Sequence, residues 1–382
     1  MRALDRKRAR ELLEPLLSRP SAPYHEDAVA EHVISALEGL PVQHIVDRYG
    51  NVIVRRPARG HSAPRIGFMA HMDHPGCEVV EHRGDRVIAA WHGGVHHEYF
   101  AGARLRFYAN DEEYEGVIED AVVDPETNRV GSVTVACNRL PPVGALGMWD
   151  VVPVEFANGV IRARAIDDLA GCGVMICLLH ELGDKPLDVD VWTVFTRAEE
   201  VGFLGAIGLA RSGRLPTSLP VVSIEMSKSI PGGSQGLGPV VRLGDKSSVF
   251  DNGFLLYLRD IAAELKEEQQ NFKYQQILMD GGSCEATALS AFGFRTAGLA
   301  IPLQNYHNMK PTGPSGPWHI ESEEISFSDF LGGVDLCVAM CERFPGLQAV
   351  TERHRRKLLD TTAVRLKRLE DEMRNRNGRK HE

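Results

Sequence analysis

The sequence predicts an α/β fold, in which helices sandwich a mainly parallel sheet and a small all-β, barrel-like domain is inserted. Two observations predict it. Apolar strand-like runs alternate with helical patterns over much of the 382-residue chain, and such alternation builds parallel sheets covered on both faces. From about Gly76 to Arg164 the pattern changes to short β-type runs separated by Gly, Asn, Asp and Pro, which is typical of a small β module.

The elements follow in order. Before the insertion we expect helices over Ala3–Leu17 and Glu26–Leu40 and strands over Val42–Val46, Asn51–Arg55 and Ile66–Ala70. After it we expect helices over Asp167–Leu182, Phe203–Arg211, Gly253–Gln269, Glu285–Phe292 and Phe327–Arg343, and strands over Val189–Thr196, Val221–Glu225, Gln275–Leu278 and Thr296–Ile301. The predicted domains are a discontinuous catalytic domain (1–75 and 165–345), the inserted β domain (76–164) and a basic helical tail (346–382).

Composition excludes several classes of protein. A net charge of -9 makes broad nucleic-acid binding a poor hypothesis. The longest apolar stretch, Leu169–Leu179, is too short to span a bilayer, and the charged N-terminal segment lacks the apolar core of a secretory signal. Seven scattered cysteines without a CxxC pair are typical of reduced thiols. We therefore expect a cytoplasmic protein that binds neither nucleic acid nor membranes.

Five positions carry metal-ligand side chains, most of them at the ends of predicted strands. They are His71 (with Asp73), Asp167-Asp168, Glu199-Glu200, Glu225 and His307. Strand ends are where open α/β sheets place their active sites. Imidazole and carboxylate ligands that meet there suit one or two divalent metals, with a spare carboxylate for proton transfer. Their joint order predicts a metal-dependent hydrolase.

Each position also has a structural alternative. An Asp at 167 or 168 is a favoured helix N-cap. Glu199 and Glu200 could form an exposed acidic helix start, which the helix dipole favours. A single histidine is more often structural than a ligand, and we interpret the other histidines as structural, although His96-His97 could reach the site: His74, His92, His96, His97 and His319.

Three segments resemble motifs of a known family. They are Ala70-His71-Met72-Asp73, Ala165–Gly171 and Glu199–Ala206, and they are similar to motifs of the dinuclear zinc aminopeptidases, in particular the glutamyl and tetrahedral (TET) aminopeptidases of the zinc-peptidase superfamily. The resemblance covers about residues 5 to 345. The position of the inserted β segment, between the His-x-Asp strand and the Asp-Asp helix, is also that of this family.

The resemblance implies a role for each residue. His71 and Glu225 would bind one metal, Glu200 and His307 the other, and Asp167 would bridge both. Glu199 would be the general base and acid, Asp73 would orient His71, and Asp168 would support Asp167. The cofactors implied are two divalent ions per chain, with zinc first and cobalt or manganese as alternatives.

Two departures from the family pattern concern the site. Glu225 stands where the family usually has Asp. The family's Gly-Gly-Thr-Asp-Ala segment is replaced by Gly281-Gly282-Ser283-Cys284-Glu285-Ala286. If that segment recognises the amino terminus of the substrate, Glu285 is the candidate residue.

The function expected is hydrolysis of the N-terminal residue of peptides by a metal-activated water. Two alternatives stay open at this point: an amidohydrolase of N-acyl amino acids or small amides, and an inactive, metal-free homologue with a binding role. The resemblance also implies a homo-oligomer, from dimer to dodecamer, with the inserted β domain as contact region or lid.

Overall fold

The computed structural model describes residues 5–60, 62–310 and 317–378. The helices are α1 (Arg6–Leu17), α2 (Asp27–Ala36), α3 (Leu169–Leu182), α4 (Leu204–Ser212), α5 (Asn252–Glu268), α6 (Glu285–Ala291), α7 (Phe327–Arg343) and α8 (Leu347–Gly378). The strands are β1 (Gln43–Val46), β2 (Val52–Arg56), β3 (Arg65–His71), β4 (Gly76–Arg83), β5 (Arg86–His92), β6 (Arg104–Ala109), β7 (Glu112–Asp124), β8 (Arg129–Cys137), β9 (Leu146–Trp149), β10 (Val154–Ala157), β11 (Val160–Ala163), β12 (Asp190–Thr196), β13 (Val221–Lys228), β14 (Val240–Arg242), β15 (Gln275–Ile277), β16 (Thr296–Gln304), β17 (Met309–Lys310), β18 (His319–Ile320) and β19 (Glu323–Ser326).

One large sheet forms the centre of the molecule, with strand order β1-β2-β12-β3-β13-β16-β19-β11-β10. The four central strands, β12-β3-β13-β16, pair in parallel, whereas the flanking strands pair antiparallel. Both faces are buried: Ile66 and Phe68 of β3 enter the larger core and Met69 enters the smaller one. The predicted α/β fold class is confirmed.

The inserted β segment forms a closed barrel of β4-β5-β8-β7-β6-β9. Its core contains the aromatic side chains of Trp91, Phe100, Phe107 and Trp149. The last two strands of the segment predicted as the inserted domain (76–164), β10 and β11, lie outside the barrel, because β11 pairs with β19 at the edge of the large sheet. A hairpin pattern does not reveal which sheet completes it, and the deciding partner lies about 160 residues away in the sequence.

In the C-terminal tail, α8 extends to Gly378, and residues 379–382 lie outside the described part. Among the described strands outside the inserted segment, four short ones were not predicted: β14, β17, β18 and β19. Among the described helices, none combines the length and the apolar character that a membrane crossing requires.

Candidate metal centre

The parallel centre of the sheet brings the predicted ligands together. His71 is the last residue of β3 and pairs with Thr196 near the end of β12, and Glu225 lies on β13, the other neighbour of β3. Among the described residues, one cluster that could hold a metal ion contains His71, Asp167 and Glu225, here called the His71 group. A second contains Asp167, Glu200 and His307, here called the His307 group. Asp167 belongs to both.

The imidazole of His71 is oriented by its own loop. Its Nδ1 lies 3.0 Å from the Asp73 carbonyl oxygen, and its Nε2 lies 3.5 Å from Asp167 Oδ1 and 3.9 Å from Glu199 Oε2. The Asp73 carboxylate instead accepts hydrogen bonds from the amides of Glu199 (2.9 Å) and Glu200 (3.0 Å). Residue 73 therefore orients His71 through its backbone and fixes the two glutamates through its side chain.

His307 is held by the inserted barrel segment. Its Nδ1 lies 2.6 Å from the carbonyl oxygen of Gly94, and its Nε2 lies 3.0 Å from Glu200 Oε1 and 3.7 Å from Asp167 Oδ2. His307 has a left-handed backbone with φ of 54°. A non-glycine residue persists there only where its surroundings impose the conformation, at a cost of about 1–3 kcal/mol.

Glu323 on β19 supplies the support that this backbone needs. Its Oε2 accepts hydrogen bonds from the amides of Ile166 (2.7 Å) and Asp167 (2.9 Å), and its Oε1 accepts one from the amide of His307 (2.8 Å). Its side chain is fully buried. One carboxylate thus joins the loop of the shared ligand to the loop of His307. Sequence reasoning missed it, because no motif marks a carboxylate on a four-residue strand.

Asp168 is the N-cap of α3, one of the two functions considered for it, and its second carboxylate oxygen bonds to the backbone of His71 and not to Asp167. Its Oδ1 accepts from the Gly171 amide at 3.2 Å as the N-cap of α3, and its Oδ2 accepts from the His71 amide at 3.3 Å. A Cβ atom at Gly171 would overlap this carboxylate. The peptide bond between Asp167 and Asp168 is cis.

His74, which the sequence suggested was structural, connects the centre to its surroundings. Its Nδ1 lies 2.6 Å from the Asp167 carbonyl oxygen and its Nε2 lies 2.9 Å from Asn308 Oδ1. Asn308 in turn donates to the Arg164 carbonyl at 2.9 Å. His74 therefore helps to place both Asp167 and the loop that carries His307.

Burial and crowding control the charges of the centre. Burial, together with neighbouring acids, raises the pKa of Glu225 to about 8, with His71 acting in the opposite direction. Burial also raises the pKa of Glu199 well above its usual range. The pKa of His307 is raised to about 9: burial lowers it, but Glu200 and Asp167 outweigh burial. Without a cation, the cluster therefore retains protons that its ligands would otherwise release.

The donor atoms suit a divalent cation. Within the described ranges, three buried atoms of the two ligand groups make no hydrogen bond of good geometry: Asp167 Oδ1, Glu225 Oε1 and His307 Nε2, the last of which faces Glu200 Oε1 at 3.0 Å. Both imidazoles have Nδ1 next to a carbonyl oxygen, which is the arrangement that leaves Nε2 free as a metal ligand. Nitrogen and carboxylate-oxygen donors are those of zinc, cobalt and manganese sites.

Glu285 lies at the start of α6 and is fully buried. In the part of the chain that the structure describes, neither carboxylate oxygen makes a hydrogen bond of good geometry, although the Thr196 side chain lowers the pKa of Glu285 as a hydrogen-bond donor. Burial raises the pKa of Glu285 to about 7, and the nearby His71 lowers it. Glu285 is thus an acidic group close to the His71 group.

Comparisons with known proteins agree with the motifs. Residues 141–312 match the model of the M42 glutamyl aminopeptidase family. YhfE of Bacillus subtilis, an aminopeptidase candidate, is 24% identical over 52% of this chain, and the match spans 64% of YhfE, less than two thirds of its length. The resemblance drawn from the three motifs is confirmed.

Two solved structures share the fold. Aminopeptidase APDkam598 of the archaeon Desulfurococcus kamchatkensis superposes with a TM-score of 0.73 at 23% identity, covering 88% of this chain and 95% of its own. The TET1 peptidase of Pyrococcus horikoshii, described as assembling into a tetrahedron or a large octahedral shell, gives 0.71 at 22% identity, covering 88% and 100%.

Proposed function

We propose that this protein is a metallo-aminopeptidase, which hydrolyses the N-terminal residue of peptides. The observation that carries the proposal is the arrangement of two ligand groups around one shared carboxylate, Asp167, with a further buried carboxylate, Glu199, 3.9 Å from His71. The match to an aminopeptidase family model supports it.

In this proposal His71, Asp167 and Glu225 hold one divalent ion, and Asp167, Glu200 and His307 hold a second. Zinc is the first choice, with cobalt and manganese as alternatives. When bound, the ions would supply Lewis acidity to a water molecule and to the scissile carbonyl. The Asp73 carboxylate fixes the positions of Glu199 and Glu200 by accepting hydrogen bonds from their backbone amides. Asp168 supports Asp167.

Glu199 moves the proton. Its carboxylate accepts a proton from the attacking water and then delivers it to the leaving amine, which is general base and acid catalysis by one group. In the metal-free chain burial raises the pKa of Glu199 well above its usual range, and bound cations would lower it again, as a general base requires. Glu285, a fully buried carboxylate that interacts electrostatically with His71, binds the α-amino group of the substrate, which restricts cleavage to the terminal residue.

We also propose that the protein is a homo-oligomer that acts on peptides. The TET1 peptidase with the same fold is described as a tetrahedral or octahedral assembly. The inserted barrel is the proposed contact region, because the large sheet is already covered by helices on both faces.

The test combines metal analysis with a panel of aminoacyl chromogenic amides, assayed with and without zinc, cobalt or manganese. Nearly two ions per chain and cleavage of free amides, but not N-acylated ones, are expected. Glu199→Gln should reduce turnover by about 10²–10⁴-fold, the usual contribution of a general acid–base, with metal content unchanged. Bound metal with cleavage of acylated substrates alone would indicate an amidohydrolase instead, and a metal-free, inactive protein would refute the proposal.

A further inference from the structure

The last helix, α8, packs on the core only at its start. Leu347 and Val350 are buried, and His354 Nε2 lies 2.8 Å from Asp260 Oδ2 of α5. From residue 355 to residue 374 every side chain is exposed except that of Thr362, which is half-buried. This part of α8, here called the exposed segment, therefore lies outside the hydrophobic core of the protein.

One side of the exposed segment is apolar. Leu359, Leu366, Leu369 and Met373 are each between 44% and 59% exposed, and Thr362 completes a series with spacings of three, four, three and four residues. This is the spacing of the a and d positions that coiled coils bury between their helices. Helices in proteins owe most of their stability to the packing of such a side, so this series, here called the α8 stripe, indicates a partner.

Thr362, the polar member of the α8 stripe, is compatible with a buried position. Its hydroxyl donates to the Leu358 carbonyl oxygen at 2.6 Å, one turn earlier in the same helix. A hydroxyl that keeps its hydrogen bond can be buried at little cost, whereas an unsatisfied one cannot. The stripe can therefore be covered by a second helix along its whole length.

The residues beside the α8 stripe indicate that this second helix is another copy of α8. In a parallel pair, each g residue of one helix faces the e residue five positions later in the other. Arg365 is at a g position and Glu370 is at the e position five residues later, so each copy would place a cation against the anion of the other. Leu358 and Ala363 form the preceding g–e pair, and both are apolar. Two identical helices are thus complementary at both pairs.

The ion pairs within α8 leave these two charges available. Arg368 pairs with Glu372 of its own helix at 3.1 Å, but in the described part of the chain neither Arg365 nor Glu370 has an ion pair. An antiparallel arrangement fits less well, because Arg365 would then face Glu372, which already has a partner. The charges therefore favour the parallel pair.

We propose that the α8 stripe is an interaction surface for a second copy of this chain, with which it forms a parallel two-helix coiled coil. This contact goes beyond the proposed peptidase function and is separate from the contact proposed for the inserted barrel. The stripe spans about two heptads, so the contact is short. Cross-linking within the contact therefore detects it more directly than the size of the oligomer does.

Two adjacent threonines allow a matched cross-linking experiment in the full-length protein. Thr362→Cys places a thiol on the α8 stripe, opposite its equivalent in a parallel pair, whereas Thr361→Cys places one beside the stripe. Oxidation with diamide should cross-link Thr362→Cys about tenfold faster, because a disulfide requires Cα atoms within about 7 Å of each other. The wild-type chain is the blank, since six of its seven cysteines are buried and Cys137 is half-buried. Equal rates in the two variants, or no cross-link in Thr362→Cys, would overturn the coiled coil.

Charge reversal in the Thr362→Cys background tests the partner and the orientation. Arg365→Glu alone and Glu370→Arg alone each create two like-charge pairs between parallel copies, so each should slow cross-linking by about tenfold. The double variant restores opposite charges and should recover the rate, as should a mixture of the two single variants. Lys367→Glu, a charge reversal away from the stripe, is the control and should leave the rate unchanged. No recovery in the double variant would overturn the parallel pairing.

Other occupants of the α8 stripe and failure of the proposed function give different results. If a different protein covers the stripe, purified Thr362→Cys stays uncross-linked, which refutes the pairing of two copies. Thermal unfolding of each variant should match wild type, because the substituted side chains lie outside the core. Metal content and amide cleavage, measured on the wild-type protein, test the proposed function alone, and neither result changes what the cross-linking rates mean.

Discussion

The two ligand groups of the metal centre are held in different ways. In the His71 group, His71 ends β3 and Glu225 lies within the neighbouring parallel strand β13, which continues three residues beyond the predicted end at Glu225. The histidine is oriented by a carbonyl only two residues away in the chain. In the His307 group, Glu200 and His307 lie on loops, and the histidine is oriented by Gly94, 213 residues away, in the inserted barrel segment. One group depends on the sheet, and the other depends on contacts between distant segments.

This difference indicates where the centre is vulnerable. The backbone of His71 is held by its pairing with β12 and that of Glu225 by its pairing with β16, so both residues need little further support. His307 and its neighbours Asn305 and Asn308 all have left-handed backbones, which the chain does not adopt without support. We therefore expect changes outside the ligand set to affect the His307 group before the His71 group.

The largest effect should come from the one residue that both groups share. Asp167→Asn removes a carboxylate charge from both, so metal-free protein titrated with cobalt should lose both binding steps and the activity should fall to background. Glu225→Gln should weaken mainly the metal-binding step of the His71 group, and Glu200→Gln mainly that of the His307 group. The two variants together therefore assign each binding step to one group. Asp188→Asn, an exposed aspartate that pairs only with Arg59 in the described structure, is the control. If Asp167→Asn still bound one cobalt ion with wild-type affinity, Asp167 would not be a ligand shared by both groups.

A smaller but selective effect is expected for Glu323→Gln. The amide has one acceptor oxygen instead of two, so it cannot hold Ile166, Asp167 and His307 together. Second-sphere changes of this kind usually cost about 10–100-fold in metal affinity, and the step assigned to the His307 group should weaken most. The matched control is Glu324→Gln, because this neighbour points to Arg162 (2.7 Å) instead. Equal weakening of both steps would mean that Glu323 acts on Asp167 alone.

The same difference explains what the sequence could predict. The ligand candidates follow apolar runs or stand in local motifs such as Glu199-Glu200-Val201-Gly202, so pattern and spacing identify them. Glu323 lies on a strand of four residues, too short for a periodic pattern, and its importance comes from partners far away in sequence. Gly94 contributes a backbone carbonyl, which no side-chain motif can mark. Ligands that stand in local sequence motifs can thus be predicted from sequence, whereas the residues that support them from distant segments cannot.

The pH dependence of the metal-free protein should reverse when metal is added. In the folded chain the pKa of Glu225 is about 8 instead of 4.5, and that of His307 is about 9 instead of 6.5. The folded state therefore binds these protons more tightly than the unfolded state, and the stability they contribute is lost as pH rises from about 4.5 to 8 and from about 6.5 to 9 respectively.

Thermal unfolding of protein from which a chelator has removed the metal measures this pH dependence of stability. The midpoint should fall as pH rises from about 6.5 to about 9. With zinc present it should rise instead, because the metal binds the deprotonated ligands. Glu225→Gln cannot titrate, so its metal-free midpoint should fall less steeply than that of wild type. A metal-free midpoint that rises with pH would contradict the proposed charge state of the cluster.

The smallest effect, and the sharpest test of the barrel's part in the site, is Tyr99→Phe. The Tyr99 hydroxyl donates to the Lys310 carbonyl at 3.0 Å, which ties the barrel segment to the strand that follows His307. Loss of one neutral hydrogen bond costs about 0.5–1.5 kcal/mol, so the His307 step should weaken by roughly two- to tenfold and the His71 step should not change. Tyr114→Phe removes a hydroxyl of the same barrel that bonds to Glu112 at 2.7 Å and should leave both steps at wild-type strength. If Tyr99→Phe and Tyr114→Phe behave alike, the barrel supports the His307 group through the Gly94 carbonyl alone, because that backbone contact survives in both variants.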